Sequence, residues 1–351
     1  MFASTAPSAP MVALRRALQP GQPISGQSLA RSLGVSRTAV WKMLEDLRAW
    51  GYRIDAAPRR GYRLVSAPDL PLPWEVAMAL PPSLAGLPVH FFPVVGSTND
   101  EARRLAEAGA PAGTVVVADR QTSGRGRRGR TWLSPPGGLY FSVLLRPQLE
   151  PRLVALLSLA SAVAVTRAVQ SAVPGAGARV KWPNDVIAGG RKLAGILAEL
   201  SADQETVRFA VIGIGINVET PELDPARAGG GLPPIGLRQL GWTQPRAEVL
   251  GRVLAALHRL LGGFEPGQLP AAALVAEASS LLAWKGEEVE VRTPFGSWQG
   301  RLAGLAGDGA LVLERPGGAR QSLYAGDVTL REAGGPPAAD PGGPGSIERG
   351  G

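Results

Sequence analysis

Gln121-Thr122-Ser123-Gly124-Arg125-Gly126-Arg127-Arg128-Gly129-Arg130-Thr131-Trp132 decides the fold. Gly124, Gly126 and Gly129 satisfy the G-x-G-x-x-G spacing of a dinucleotide-binding turn, but such a turn must open a helix and be followed about 20 residues later by an acid for the ribose. Here the chain continues through Pro135-Pro136-Gly137-Gly138, which cannot start a helix, and the next acid is Glu150, in a proline-flanked turn. A dinucleotide fold of that kind is therefore set aside. What remains is a loop whose glycines let the backbone approach an anion and whose arginines, Arg125, Arg127, Arg128 and Arg130, concentrate positive charge. It is built to close over phosphate.

At 351 residues the chain has room for two or three domains. Cysteine is absent, so neither a disulfide framework nor a thiolate metal site is available, as fits a reducing cytosol. Only His90 and His258 are present, which argues against a histidine zinc site or a Ser-His-Asp triad. Catalysis then rests on Lys, Arg, Asp, Asn or backbone amides. The formal net charge of +8 points to anionic partners such as nucleotides or nucleic acid. No apolar run reaches the ~20 residues that span a bilayer, and residues 1–10 lack the features of a signal peptide. The expectation is a soluble, cytoplasmic protein with no membrane partner.

Residues 1–10, rich in Ala, Ser and Pro, read as disordered. Residues 11–66 read as three helices and a hairpin. The first helix, about 10–18, is stopped by Pro20-Gly21; Ser25 caps a second; Gly34 turns the chain; and Ser36 caps a third over 37–50. In the third, Val40, Met43, Leu44 and Leu47 recur at i, i+3, i+4 and i+7 as one stripe, leaving Arg37, Thr38, Trp41 and Lys42 outside it. Two short strands flank Pro58-Arg59-Arg60. The pattern is a winged helix-turn-helix in which those four residues face a DNA major groove and Arg59 and Arg60 touch phosphate. A three-helix bundle with a solvated basic face is the alternative. Residues 67–87 read as a stiff proline-rich linker with one short helix. Residues 88–283 alternate strand-like and helical runs, as one mixed α/β sheet with helices against it requires. Residues 284–331 show strands at 287–292, 297–305, 310–313 and 319–324, a small barrel, and residues 332–351, dominated by Gly and Pro, read as a disordered tail.

Three more segments carry chemistry. Ser97-Thr98-Asn99-Asp100-Glu101 follows a strand and opens a helix. Thr98 and Glu101 fit a capping box, and the same donors suit a urea carbonyl or a carboxylate. Lys181-Trp182-Pro183-Asn184-Asp185 ends a strand in a turn, and Arg191-Lys192-Leu193-Ala194-Gly195-Ile196-Leu197 begins the next strand after Gly189-Gly190. Each alone is an ordinary solvated turn. Together they bring two of the chain's few lysines beside an amide and a carboxylate, groups able to neutralise a nucleotide, bind its ribose or metal, and orient an amine. Gly213-Ile214-Gly215-Ile216-Asn217 is a strand end whose glycines mark a bulge or close packing.

In order and spacing these segments resemble those of biotin protein ligases, and the two flanking units are similar to those of the bifunctional bacterial form, which is also the biotin operon repressor. The resemblance covers residues 11–331. It implies a mixed-sheet α/β catalytic domain of the class II aminoacyl-tRNA-synthetase-like type, with an N-terminal winged helix-turn-helix and an SH3-like C-terminal β-barrel. The activity implied is activation of biotin by ATP, with Mg²⁺, to biotinyl-5′-AMP, then transfer to a lysine of a biotin carboxyl carrier protein. Operator DNA and a monomer–homodimer equilibrium are implied as well.

Carried over by position, Ser97, Thr98, Asn99, Gln121, Arg125, Gly126, Arg127 and Lys192 hold biotin. Arg125, Arg128, Lys181, Trp182, Asn184 and Asn217 hold ATP or the adenylate. Lys192, Arg127 and Asp185 act in catalysis, and Asp185 is the candidate metal ligand. The loop is expected to order on binding and shield the anhydride from water. One departure stands out: the repressors place a tryptophan over the adenine in the segment after the glycine strand, and residues 219–241 contain none. A lipoate-type ligase and a transcription factor that only senses a nucleotide-linked ligand are the competing readings. The pairing of the glycine-arginine loop with Lys-Trp-Pro-Asn-Asp favours biotin, and intact Lys192 and Asp185 favour catalysis.

Overall fold

Serines start two of the N-terminal helices, and glycines turn the chain after them. In the computed structural model, which describes residues 8–57, 60–147, 154–202, 207–222, 232–265 and 269–330, α1 spans Ala9–Ala17, α2 Gly26–Leu33 and α3 Arg37–Ala49. Ser25 Oγ accepts the Ser28 amide at 3.0 Å and Ser36 Oγ accepts that of Ala39 at 3.1 Å. Gly34 ends α2 at φ 65°, a left-handed cap. Val40, Leu44 and Leu47 are buried, while Arg37, Thr38, Trp41 and Lys42 are exposed. The wing is the hairpin of β1 (Arg53–Ala57) and β2 (Gly61–Ser66), with Arg60 exposed beside it. Arg59 lies outside the described residues, as do residues 1–7 and 331–351.

The proline-rich segment carries α4 (Pro73–Ala79), and it is packed on both sides. Trp74, Val76 and Leu80 are buried. Trp74 Nε1 donates to the Tyr52 hydroxyl at 2.7 Å, and Tyr52 and Arg15 both donate to Glu75. Burial, and then Glu75, raise the pKa of Tyr52, so it stays a donor. Trp50 meets Trp74 and Phe91 edge-on, with ring centroids 6.5 and 5.6 Å away. The segment is a wedge between the N-terminal unit and the larger domain, because its apolar side chains find surface on each.

The larger domain contains β3 (Val89–Val95), α5 (Thr98–Glu107), β4 (Val115–Gln121), β5 (Leu139–Leu145), α6 (Val154–Ala172), β6 (Arg179–Lys181), β7 (Asp185–Ala188), β8 (Arg191–Ala202), β9 (Val207–Ile216), α7 (Arg246–Leu261) and α8 (Ala271–Leu281). Its strands form one sheet in the order β3-β4-β5-β9-β8-β7-β6, with β3 and β4 parallel and every other neighbouring pair antiparallel. Alternation sorts side chains to two faces: Val116, Leu144 and Val211 pack under α5, and Val115, Val117 and Val143 join the main core with α6. By length and composition α6 could cross a bilayer, but 67% of its apolar window is buried inside the fold, as in a core helix.

The C-terminal unit is β10 (Glu288–Thr293), β11 (Gly296–Leu305), β12 (Leu311–Glu314), β13 (Arg320–Leu323) and β14 (Asp327–Leu330), antiparallel in the order β13-β12-β11-β10-β14. β14 is a short strand that the sequence pattern does not announce. One apolar cluster runs through all three units, from Leu14 and Leu44 through Trp74 and Phe91 to Val289 and Leu313.

Candidate active site

The glycine-arginine loop joins β4 to β5, antiparallel neighbours, so it opens no crossover helix. Gly126 N donates to Arg130 O at 2.7 Å and Trp132 N to Gly124 O at 3.0 Å, pinching the loop into a lobe with Arg127 and Arg128 at its tip. Beyond the pinch, the Trp132 indole rests on the sheet. A Cβ at Gly215 would lie 2.4 Å from Trp132 Nε1, and one at Gly195 would lie 2.9 Å from its Cζ3. A Cβ at Gly213 would lie 2.2 Å from Asn99 Oδ1. Gly195 sits opposite Gly215, and Gly213 opposite Ser142 and Leu197, in regular register. Of the two readings of these strand glycines, close packing is the one observed.

One end of the cleft is a network of neutral polar groups. Thr98 N and Oγ1 donate to Gln121 Oε1 at 2.8 and 3.1 Å, and Gln121 Nε2 donates to Ser134 Oγ at 2.9 Å. Asn99 accepts from Ser142 Oγ at 2.6 Å and donates to Glu199 at 2.8 Å. This replaces the expected capping box. Ser97 is the cap residue and makes no side-chain cap bond, Gln121 takes the Thr98 amide, and Glu101 pairs with Arg104. Ser97, Thr98 and Asn99 are all buried. Arg125 closes this end by donating to both Asp100 oxygens at 2.7 Å and reaching Glu199 at 3.4 Å. The Arg125 hydrogen bonds hold the Asp100 carboxyl below the usual range.

The other end is cationic. Lys192 Nζ lies 2.9 Å from Asp185 Oδ1 and 5.3 Å from the centroid of Trp132. Lys181 Nζ contacts Asp327 and lies 3.9 Å from Asp185, and Arg130 reaches Asp327 at 3.3 Å. Arg127 donates to Asn184 Oδ1 at 3.1 Å, and Asn184 Nδ2 donates to Ile196 O at 2.7 Å. Burial lowers the Arg127 pKa, and no carboxylate among the described residues forms an ion pair with it. It is a cation held by a neutral partner, available to an anion.

Most of the expected residues converge: Ser97, Thr98, Asn99, Gln121, Arg125, Gly126, Arg127, Arg128, Lys181, Asn184, Asp185 and Lys192 line one cleft. Two do not reach it. Trp182 turns away, buried in the joint with the C-terminal unit, where its Nε1 donates to Gly309 O at 3.0 Å. Asn217 is buried behind Lys192 and donates to its carbonyl at 3.1 Å. Asp327, Glu199, Asp100 and Trp132 take part without having been singled out by the sequence. The stretch after β9 runs beside Lys192, with Lys192 N donating to Pro233 O at 2.7 Å and Ile235 N to Lys192 O at 2.9 Å. Trp242, just beyond it, is buried and donates to Gln244 O at 2.7 Å, so the indole lining the cleft is Trp132.

No group of three or more potential metal ligands occurs among the described residues. Asp185 and Asp327 are the carboxylates of the cleft, a set that fits a Mg²⁺ arriving on a polyphosphate, which needs only one or two.

A donor-rich pocket joined to a cationic cleft on a mixed sheet defines an enzyme class that activates carboxylates with nucleotides. Residues 91–217 match the Biotin/lipoate A/B protein ligase family, 13–63 an HTH domain, and 286–331 the Biotin protein ligase C terminal domain. The chain is 35% identical over 308 residues to the bifunctional ligase/repressor BirA of Bacillus subtilis, covering 88% of this chain and 94% of that protein. It is 32% identical to the protein of that name from Escherichia coli, over 88% and 93%. The structure of the biotin protein ligase from Aquifex aeolicus in complex with biotin and ATP matches with a TM-score of 0.58 at 32% identity, over 70% of this chain and 99% of that one. The chain belongs to the biotin protein ligases of the bifunctional ligase/repressor type.

Proposed function

We propose that the chain makes biotinyl-5′-AMP from biotin and ATP and passes the biotinyl group to a lysine of a biotin carboxyl carrier protein. The observation that carries this reading is a single cleft whose neutral, donor-rich end meets a cationic end at Lys192. The ureido ring is assigned to Ser97, Thr98, Asn99 and Gln121, with Arg125 and Gly126 closing over it. The nucleotide is assigned to Arg128, Lys181 and Asn184, while Trp182 and Asn217 support the site from behind.

In the first step a biotin carboxylate oxygen attacks the α-phosphorus and the bond to pyrophosphate breaks. Two anions must meet, so the main barrier is electrostatic, and Lys192, Arg127 and Arg128 are the cations that lower it. A Mg²⁺ held by Asp185 supplies further charge neutralisation on the polyphosphate when bound. In the second step the acceptor amine, with an ordinary pKa of ~10.4, loses a proton, its nitrogen attacks the acyl carbon, and AMP leaves. Asp185 is suited to orient that amine and receive the proton.

The exposed face of α3 and Arg60 are assigned to operator DNA, with binding by a homodimer, in the cytoplasm. ATP-dependent labelling of a biotin acceptor domain by the purified chain tests the enzyme reading, and its absence would sink it. Pyrophosphate release with lipoate in preference to biotin would favour the lipoate-type alternative.

A further inference from the structure

We propose that Asp327, in the C-terminal unit, is a positioning residue for the adenylation step: it holds Lys181 and Arg130 at the polyphosphate end of the cleft. This rests on the ligase reading above. Five side chains alternate in charge across the cleft: Lys192, Asp185, Lys181, Asp327 and Arg130. Within that row the Lys181 side chain is only 7% exposed, and a buried ammonium needs an anionic partner. Asp185 serves it poorly, because it is 3.9 Å from Lys181 and already engaged with Lys192 at 2.9 Å. Asp327 is therefore the partner that keeps Lys181 in place. Without that charge Lys181 turns towards Asp185 and competes with Lys192 for it.

Asp327 is itself held by regular structure. It starts β14 opposite Arg292 of β10, and a Cβ at the preceding Gly326 would lie 2.5 Å from Val291 Cγ1. The joint between the two units is tied at two further points: Ala283 N donates to Val180 O at 2.8 Å and Trp182 Nε1 to Gly309 O at 3.0 Å. The carboxylate is thus delivered by a rigid domain to the strand that ends in Lys181. Its other oxygen reaches Arg130, at the base of the glycine-arginine lobe. Both cations face the part of the cleft assigned to the triphosphate, so the chemical class served is a nucleoside polyphosphate and its departing pyrophosphate.

The test is Asp327→Asn in the full chain, followed by pyrophosphate release with biotin and ATP. The KM for ATP is expected to rise about tenfold or more while that for biotin stays within about twofold. Asp327→Glu recovers part of the ATP KM, and Arg130→Gln is less than additive with Asp327→Asn. If Asp327→Asn does not fold, Arg130→Gln carries the test, with a smaller rise confined to ATP. An unchanged ATP KM, equal rises for both substrates, or a lower ATP KM overturns the assignment. A parent chain that releases no pyrophosphate overturns the ligase reading instead.

Discussion

Lys192 Nζ and Asp185 Oδ1 stand 2.9 Å apart where the two ends of the cleft meet. The pair brings the cation of the first step against the proposed base of the second. Lys192→Met is expected to slow pyrophosphate release by ~10²-fold or more, as removal of a charge that stabilises the transition state does. Asp185→Asn should largely spare that step and slow transfer from preformed biotinyl-5′-AMP by ~10²-fold. Single-turnover assays of each half-reaction separate the two. Equal losses in both halves for Asp185→Asn would remove its role in transfer.

Arg127 crosses the mouth of the cleft to a neutral partner, Asn184. Arg127→Gly is expected to unfasten the lobe, so that biotinyl-5′-AMP escapes and labels bystander lysines on an unrelated protein. Mass spectrometry of that protein provides the check. A variant that retains its intermediate as tightly as the parent would refute the closing role.

Gly215→Ala puts a methyl where Trp132 Nε1 now lies. Alanine is tolerated in a strand, so the indole must move while the sheet persists. Biotin affinity is expected to fall about tenfold with circular dichroism unchanged, as a displaced aromatic wall implies. Unaltered binding by calorimetry would show that the seating of Trp132 is dispensable.

Arg37 and Lys42 are exposed on α3. Replacing both with Ala should weaken operator binding and lower the slope of log K against log salt by roughly 2, about 0.9 for each phosphate no longer neutralised. Biotinylation is expected to stay at the parent rate. These substitutions are a cleaner test than deleting residues 1–66, because the deletion strips Trp50 and Tyr52 from Trp74 and Phe91.

His90 on β3 is half-buried, and burial lowers its pKa. The unfolded chain, where the ring titrates near ~6.5, then binds more protons than the native state as pH falls. The associated stability is present above that value and lost as pH drops through the lower native pKa. His90→Gln should flatten the decline in urea midpoint between about pH 7 and pH 5. An identical decline in both proteins assigns the acid sensitivity to other groups.

Much of the fold was readable from local chemistry. The caps of α2 and α3, the stripe on α3 and the long strands announce themselves because one short window contains both cause and effect. The cleft was readable as a set of segments, but a motif fixes a neighbourhood and not a direction. Lys181 and Asp185 face the cleft, while Trp182 between them turns to Gly309. The capping box at Thr98 fails because Gln121, 23 residues away, supplies a better acceptor. Asp327 was invisible for a similar reason. Four residues, Asp-Val-Thr-Leu, have no periodicity to display, and their strand exists only by pairing with β10.

Leu14, Trp74, Phe91, Val289 and Leu313 belong to one continuous apolar cluster, and the three units therefore do not have separate thermodynamic fates. A cavity opened beneath α1 raises the unfolded fraction of the catalytic sheet as well as that of the wing. Inside a cell such damage registers as lower abundance of the whole chain, and both activities decline together. Variants that separate reading DNA from attaching biotin are to be sought on exposed faces such as that of Arg37, or inside the cleft, and not in the shared interior.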